Sequence, residues 1–413
     1  MSHLMSPAPF SGSSISAKTD NKPDLICLSH LRWDFVYQRP QHLLSRCARE
    51  RRVFLIEEPV FDADLPLLEM REREGVKIAI PHLPPGGDEG AANAMLRELT
   101  DDLMAQEQIN EYVLWYYTPM ALGFTRHLQP LAVIYDCMDE LSAFKGAPPA
   151  MHEREQELFS LANHVFTGGQ SLYEAKCRQH PHAHAFPSSV DVGHFAQARS
   201  IKTEPEDQRA IPHPRLGFFG VIDERMNLEL LAHLADLRPG WHLVMIGPVV
   251  KIAPEDLPQR DNIHYLGGKS YAELPAYLAG WEVALLPFAL NESTRFISPT
   301  KTPEYLAAGK PVISTSIRDV IRPYREIGLV RIADTAEQFV KAAEAAMAED
   351  AQDRVRRSDA FLMQMSWNRT WAQMSALIDE AVAAQRSSSQ ATQPAAPRAV
   401  ANGRIERAVA SGD

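Results

Sequence analysis

The stretch Phe288-Ala-Leu-Asn-Glu-Ser-Thr-Arg-Phe-Ile-Ser-Pro-Thr-Lys-Thr-Pro-Glu-Tyr-Leu-Ala-Ala-Gly-Lys-Pro-Val-Ile-Ser-Thr315 decides the architecture. An apolar strand, Val283 to Phe288, leads into a polar loop. A helix is expected from about Thr302, with Pro303 in its first turn, where a missing N–H costs nothing. Gly309 stops that helix, and Pro311 to Thr315 reads as the next strand. The result is a βαβ unit whose loop opens at the carboxyl end of a strand, the edge where open parallel sheets bind ligands. Ser298, Thr300 and Lys301 stand beside the helix N-terminus, whose free N–H groups favour an anion. Glu304 lies in the first turn. One cation for phosphate and one carboxylate for sugar hydroxyls suit a nucleotide-sugar diphosphate; an ordinary capped crossover helix would show the same spacing.

Working outward, 413 residues suffice for two domains and a tail. Hydrophobic residues at 45% and charged residues at 23% are those of a soluble globular chain. A net charge of −11 argues against a general nucleic-acid binder. The four cysteines, Cys27, Cys47, Cys137 and Cys177, are widely spaced and read as reduced thiols. No signal-peptide pattern opens the chain, and no apolar run approaches the ~20 residues of a membrane span. A cytoplasmic protein is expected, peripheral at most.

Short apolar strands are expected at Asp24–Ser29, Arg52–Glu57, Val76–Ile80, Tyr112–Tyr116, Ala132–Asp136 and His164–Gly168. A second series follows at Arg215–Ile222, Trp241–Gly247, Asn262–Gly267 and the opening βαβ unit. The expected layout is a disordered segment 1–22, a first α/β domain 23–196, a linker 197–214 and a second α/β domain 215–365. A terminal helix 366–384 and a disordered tail 385–413 complete it.

Three clusters carry chemistry. In the turn after Arg215, Gly217 and Gly220 would let backbone approach a pyrophosphate while Arg225 adds charge, or would serve turn geometry alone. The loop after the first strand crowds His30, Arg32, Trp33, Gln38, Arg39 and Gln41, suited to an acceptor or phosphate across a cleft, or to a solvated loop over packed aromatics. Tyr135 to Ser142 brings Asp136, Asp139 and Glu140 together; crowded carboxylates can raise one pKa toward that of a general base, and the same cluster could cap the next helix. Gln179-His-Pro-His-Ala-His184 looks like a metal run, but its spacing and lack of a carboxylate argue against one, and no metal site is expected.

The stretches Leu28 to Leu44, Val133 to Glu140 and Ser298 to Val312 are similar to bacterial glycosyltransferases of the GT-B fold, of the exopolysaccharide and teichuronic-acid type. The last stretch also resembles the donor segment of the xanthan glucuronosyltransferase. The resemblance, over roughly residues 24–380, implies two Rossmann-like doubly wound domains facing a cleft. It implies a nucleotide-sugar donor in the second domain, with Lys301 at the diphosphate and Glu304 at the ribose or nearby hydroxyls; the residue reading adds Gly220, Arg225, Ser298 and Thr300 to that donor site and expects a UDP- or GDP-linked sugar without a further cofactor. Arg32, Trp33, Gln38, Arg39 and Gln41 would face a lipid-linked or polysaccharide acceptor, and Asp139 would be the base of an inverting transfer. The helix of Trp367 and Trp371 would return to the first domain. Retaining family 4 enzymes carry two glutamates separated by seven residues here, whereas counting back from Glu304 reaches Phe296. Arg32, Trp33 and Arg39 further suggest peripheral contact with the inner face of the cytoplasmic membrane. A nucleotide-sugar epimerase on the same scaffold, or a non-catalytic nucleotide-sugar sensor, would share these features.

Overall fold

The computed structural model describes residues 22–392. The expected disordered ends therefore lie outside the described residues, apart from Lys22 and residues 385–392. Those eight belong to a helix, Trp367–Thr392, that runs past the expected end at 384.

The first domain holds eight strands: β1 Asp24–Ser29, β2 Val53–Glu57, β3 Leu67–Arg73, β4 Val76–His82, β5 Tyr112–Tyr116, β6 Ala132–Cys137, β7 His164–Thr167 and β8 Ala183–Ala185. They lie in the order β3-β4-β2-β1-β5-β6-β7-β8, parallel except for the β3–β4 hairpin. Alternation along the strands sorts side chains between two faces. Leu25 and Cys27 of β1, Val53 and Leu55 of β2, and Val113 and Trp115 of β5 share one core. Their neighbours Ile26, Leu28, Phe54, Ile56 and Leu114 share the other. Burial on both faces is why these strands read as continuous apolar runs. β3 escapes that reading because it is an exposed edge strand of charged composition, joined to β4 by a two-residue turn at Glu74 and Gly75.

The second domain holds β9 Arg215–Phe219, β10 His242–Ile246, β11 Ile263–Tyr265, β12 Val283–Leu286, β13 Val312–Ser314 and β14 Val330–Ile332, in the order β11-β10-β9-β12-β13-β14. Every pairing in it is parallel. The two domains each present the carboxyl ends of their strands, and the cleft lies between those edges.

The expected 197–214 linker is corrected. Val190, Phe195, Ala198 and Ile211 already belong to the second core, so the chain leaves the first domain before residue 196. Within this segment Gln208 is fully buried, accepting a hydrogen bond from Trp281 Nε1 (2.9 Å) and donating to the Tyr277 carbonyl (3.0 Å). Its polar composition supplies specific partners and not slack.

The helix Trp367–Thr392 packs Trp367, Trp371, Met374 and Ile378 into the first-domain core. Side chains the size of tryptophan bury roughly 150–250 Å², on the order of 4–6 kcal/mol each before the cost of ordering them. Trp371 Nε1 donates to Glu50 (2.8 Å), and Lys22 bridges Glu50 and Asp379, at 2.8 Å from each.

Candidate functional site

The opening element of the sequence forms helix Lys301–Ala307, and its end is a Schellman closure. Gly309 takes the left-handed conformation (φ 74°), its N–H reaches the Leu306 carbonyl, and the Lys310 N–H reaches the Tyr305 carbonyl. A side chain at Gly309 would be strained there. The same helix is pinned to the end of β9, because the Phe219 N–H donates to the Tyr305 hydroxyl at 3.0 Å. Helix and glycine turn are therefore one rigid unit.

That unit forms one wall of a cleft of about 600 Å³ between the domains. From the second domain come Gly220, Gly247, Tyr271, Thr300, Lys301 and Glu304. Trp33, Phe35, Tyr37 and Gln38 face them from the first. The Lys301 side chain crosses directly over Gly220; a Cβ there would meet its Cε at 2.1 Å and its Nζ at 2.6 Å. Gly220 thus makes room for the lysine. Its own N–H is spent on the Ile246 carbonyl (2.8 Å), so the expected approach of this amide to a pyrophosphate is corrected. Gly217 lies inside β9, where a Cβ would strike the Trp281 ring at 2.1 Å, so its role is packing.

Lys301 and Glu304 are the unusual pair. Among the described residues neither side chain has a hydrogen bond or an ion pair, although Glu304 is only 9% exposed. Burial pushes the Glu304 carboxyl up to about 8, with Lys301 holding it back, and burial lowers the Lys301 ammonium. Charges withdrawn from water without a protein partner are costly, and such a pair facing a cavity is suited to a ligand that supplies both partners.

Asp139 follows β6, outside the residues that line the cleft but near enough to Arg225 and Lys301 to feel their charge. The three expected carboxylates diverge: Asp136 takes Arg39, and Glu140 takes Lys176 at 2.8 Å. Asp139 remains without a side-chain partner among the described residues and is partly exposed. Its pKa is raised by burial, against the pull of Arg225, Arg39 and Lys301. The cause is desolvation and not the expected crowding of like charges. Arg225 is held by both carboxylate oxygens of Asp223, at 3.0 and 2.6 Å. With Lys251 it flanks the Phe144 ring of the first domain, at 5.5 and 5.0 Å from the centroid, so cations of one domain clasp an aromatic of the other.

Several expected site residues lie elsewhere. Ser298 is at the domain joint: a Cβ on Gly169 would meet the Ser298 Cβ at 2.7 Å and the Asp319 carboxylate at 2.3 Å. The Asp319 carboxylate in turn accepts the Gln170 and Ser171 N–H groups, both at 2.9 Å, capping a first-domain helix from the second domain. Arg39 is 1% exposed and saturated by Asp136 (3.0 and 2.9 Å) and the Phe186 carbonyl (2.6 Å), so it cannot reach an acceptor. Gln41 is likewise spent, donating to the Trp33 and Val36 carbonyls and accepting from the Gln38 N–H. Arg32 pairs with Glu57 at 3.0 Å, away from the cleft lining. Of the expected acceptor residues, Trp33 and Gln38 reach the cleft. Burial of Trp33 and Arg39 also removes the basic-apolar patch expected at a membrane. No helix among the described residues is long and apolar enough to cross one.

The sequence reading missed Gly247, Tyr37 and Tyr271. Gly247 ends β10 as Gly220 ends β9, and that repeated strand-end glycine was a usable signal. Tyr37 and Tyr271 meet across the cleft with centroids 4.7 Å apart, a contact between domains that no local pattern encodes. The histidine run falls partly on β8; His164 and His184 touch at 3.1 Å, and no group of three or more metal-binding side chains occurs among the described residues.

Comparison with known proteins adds to this geometry. Residues 213–349 match the family model "Glycosyl transferases group 1". A curated relative, the putative teichuronic acid biosynthesis glycosyltransferase TuaH of Bacillus subtilis strain 168, is 27% identical over 105 residues, 25% of this chain. The match spans about a quarter (26%) of that relative's length. Among solved structures, sucrose-phosphate synthase from Thermosynechococcus elongatus superposes with a TM-score of 0.67 at 14% identity, covering 88% of this chain and 100% of its own. Anabaena HepE in complex with UDP and glucose gives 0.62 at 13% identity, over 87% of this chain and 100% of its own. The overall architecture is the GT-B fold.

Proposed function

Because this chain carries a glycosyl transferase group 1 domain on a GT-B fold, we propose that it transfers a hexose-type sugar from a nucleoside-diphosphate donor to an acceptor hydroxyl. The observation that carries this reading is the Lys301–Glu304 pair at the cleft wall, whose polar atoms have no hydrogen-bond or ion-pair partner among the described residues, Lys301 having only the Phe218 ring beneath its ammonium at 5.7 Å. Lys301 would meet the diphosphate, and Glu304 would accept from ribose or nearby hydroxyls. Thr300 stands beside them at the start of the helix. The group 1 domain and the UDP seen with the Anabaena neighbour favour a nucleoside-diphosphate donor, taken here as UDP- or GDP-linked, and the reading calls on no further cofactor.

As the sugar leaves, negative charge grows on the diphosphate, and Lys301 would offset it, with Arg225, already held by Asp223, contributing only from behind the lining; the reading therefore invokes no metal. Asp139, held partly out of water, is the proposed base that takes the acceptor proton in an inverting transfer. The acceptor would approach past Trp33 and Gln38. A lipid-linked or polysaccharide precursor of surface glycan is the acceptor class favoured by the teichuronic-acid relative. Work at the inner face of the cytoplasmic membrane would follow from such an acceptor and not from the Arg32–Arg39 loop.

The test is a thermal-shift screen of UDP, GDP and their sugars. A ligand that binds the folded state raises the melting temperature by linkage. A selective rise, lost in Lys301→Ala and Glu304→Ala, is expected. No rise with any nucleotide removes the reading.

A further inference from the structure

A second hollow, of about 460 Å³, opens in the first domain at the carboxyl ends of β1 and β2 and beyond β5. Its wall is mainly apolar, with Leu28, Ile56, Phe61, Leu96, Met120 and Phe124. Phe61 is half exposed at the mouth. Four carboxylates, Glu57, Glu58, Asp88 and Glu89, ring this surface against one lining cation, Arg154, which Glu89 already pairs. Arg32 answers Glu57 from outside the hollow. The 18-residue helix Glu89–Gln106 points its N-terminus here, but Asp88 caps it, accepting from the Ala91 N–H at 2.8 Å. The position where a helix end would favour an anion is thus filled by the protein's own carboxylate. Glu58 has no side-chain partner among the described residues.

The hollow adjoins the cleft through one residue. Glu57 lines it and accepts from the Trp33 N–H at 2.7 Å, and Trp33 lines the cleft. The Trp33–Glu57 hydrogen bond therefore ties the wall of the hollow to the wall of the donor cleft. Apolar rings favour a ligand with an apolar face, and ionised carboxylates accept from hydroxyls while repelling phosphate.

We propose that this hollow binds the uncharged sugar end of the acceptor, with its apolar face on Phe61 and Phe124 and a hydroxyl donating to Glu58, and that it rejects sugar phosphates. The proposal rests on the transferase reading and adds the charge class of the acceptor to it. A lipid-linked acceptor would then keep its phosphates outside the hollow and offer its neutral glycan end.

The experiment uses the full chain with two probes, phenyl β-D-glucopyranoside and glucose 6-phosphate, followed by ligand-observed saturation-transfer NMR. The UDP-induced thermal shift is measured alongside. The neutral glycoside is expected to bind, with glucose 6-phosphate about tenfold weaker or more at low salt, since like charges brought together are disfavoured. Ala92→Trp, which fills the hollow from helix Glu89–Gln106, is expected to abolish the glycoside signal and leave the UDP shift unchanged. Glu58→Gln is expected to narrow the gap between the two probes. Should Ala92→Trp not fold, Phe61→Ala, at a half-exposed position, must weaken the glycoside instead. Equal or tighter binding of glucose 6-phosphate overturns the proposal, as does a glycoside signal that survives both Ala92→Trp and Phe61→Ala. A missing UDP shift in the unmodified chain sinks the transferase reading separately, because the NMR signal does not depend on it.

Discussion

The two walls of the cleft look alike in composition and differ in how their charges are used. Behind the first-domain wall, Arg39 and Gln41 spend their polar atoms on Asp136 and on backbone carbonyls of the protein itself. On the second-domain wall, the buried Glu304 and the half-buried Lys301 have no hydrogen-bond or ion-pair partner among the described residues. A satisfied buried charge is scaffold, and an unsatisfied one facing a cavity is waiting for a ligand. Density of polar residues does not separate these cases; partner saturation does.

Four measurements would break or sharpen that contrast. The largest effect is expected in Asp139→Asn. Removing a general base should lower turnover by about 10²–10⁴-fold, while the nucleotide-induced thermal shift stays as in the unmodified chain. Retained turnover would remove Asp139 from the chemistry. Next, Arg39→Ala leaves Asp136 buried and unpaired, which should cost about 3–5 kcal/mol of stability, read as a lower denaturant midpoint. Nucleotide affinity of the remaining folded protein should hold, and a selective loss of affinity would return Arg39 to the binding surface.

In Lys301→Ala the order is reversed. The charge-assisted contact with a diphosphate, about 1.5–3 kcal/mol, should vanish from calorimetric binding while stability is kept or gained. A stability loss with unchanged affinity would make Lys301 scaffold. The smallest effect is a proton. Burial holds the free Glu304 carboxyl near 8, above its unfolded value, so the folded state holds a proton that the unfolded state has lost. Its contribution to the stability of the free protein therefore falls as pH rises from the ordinary carboxylate range toward 8. Hydroxyl donors from a bound nucleoside would lower that pKa, so binding at pH 7 should release a proton. Calorimetry in buffers of different ionisation enthalpy would detect it, and Glu304→Gln should erase it. Identical heats in all buffers would contradict the assigned role.

Much of the fold was legible because the parallel strands are buried on both faces and stand out as short apolar runs, Asp24–Ser29 and Tyr112–Tyr116 among them. β3 was not legible, since an exposed edge strand needs no apolar pattern. The group of Thr300, Lys301 and Glu304 could be read because one helix N-terminus gathers it locally. The roles of Ser298 and Arg39 could not, because each is decided by a neighbour far along the chain, Gly169 and Asp136 respectively. The divergence of Asp136, Asp139 and Glu140 was hidden for the same reason: Arg39 and Lys176 each take one carboxylate and leave the third without an ion pair among the described residues.

The return of helix Trp367–Thr392 to the first domain bears on the order of synthesis. One face of the first sheet is completed by Trp367, Trp371, Met374 and Ile378, which leave the ribosome after every strand of the second domain has been made. The first domain to be translated is thus the last that can close its core. Until then the face around Leu25, Val113 and Trp115 remains without its covering helix, a surface that a chaperone or a neighbouring nascent chain could engage.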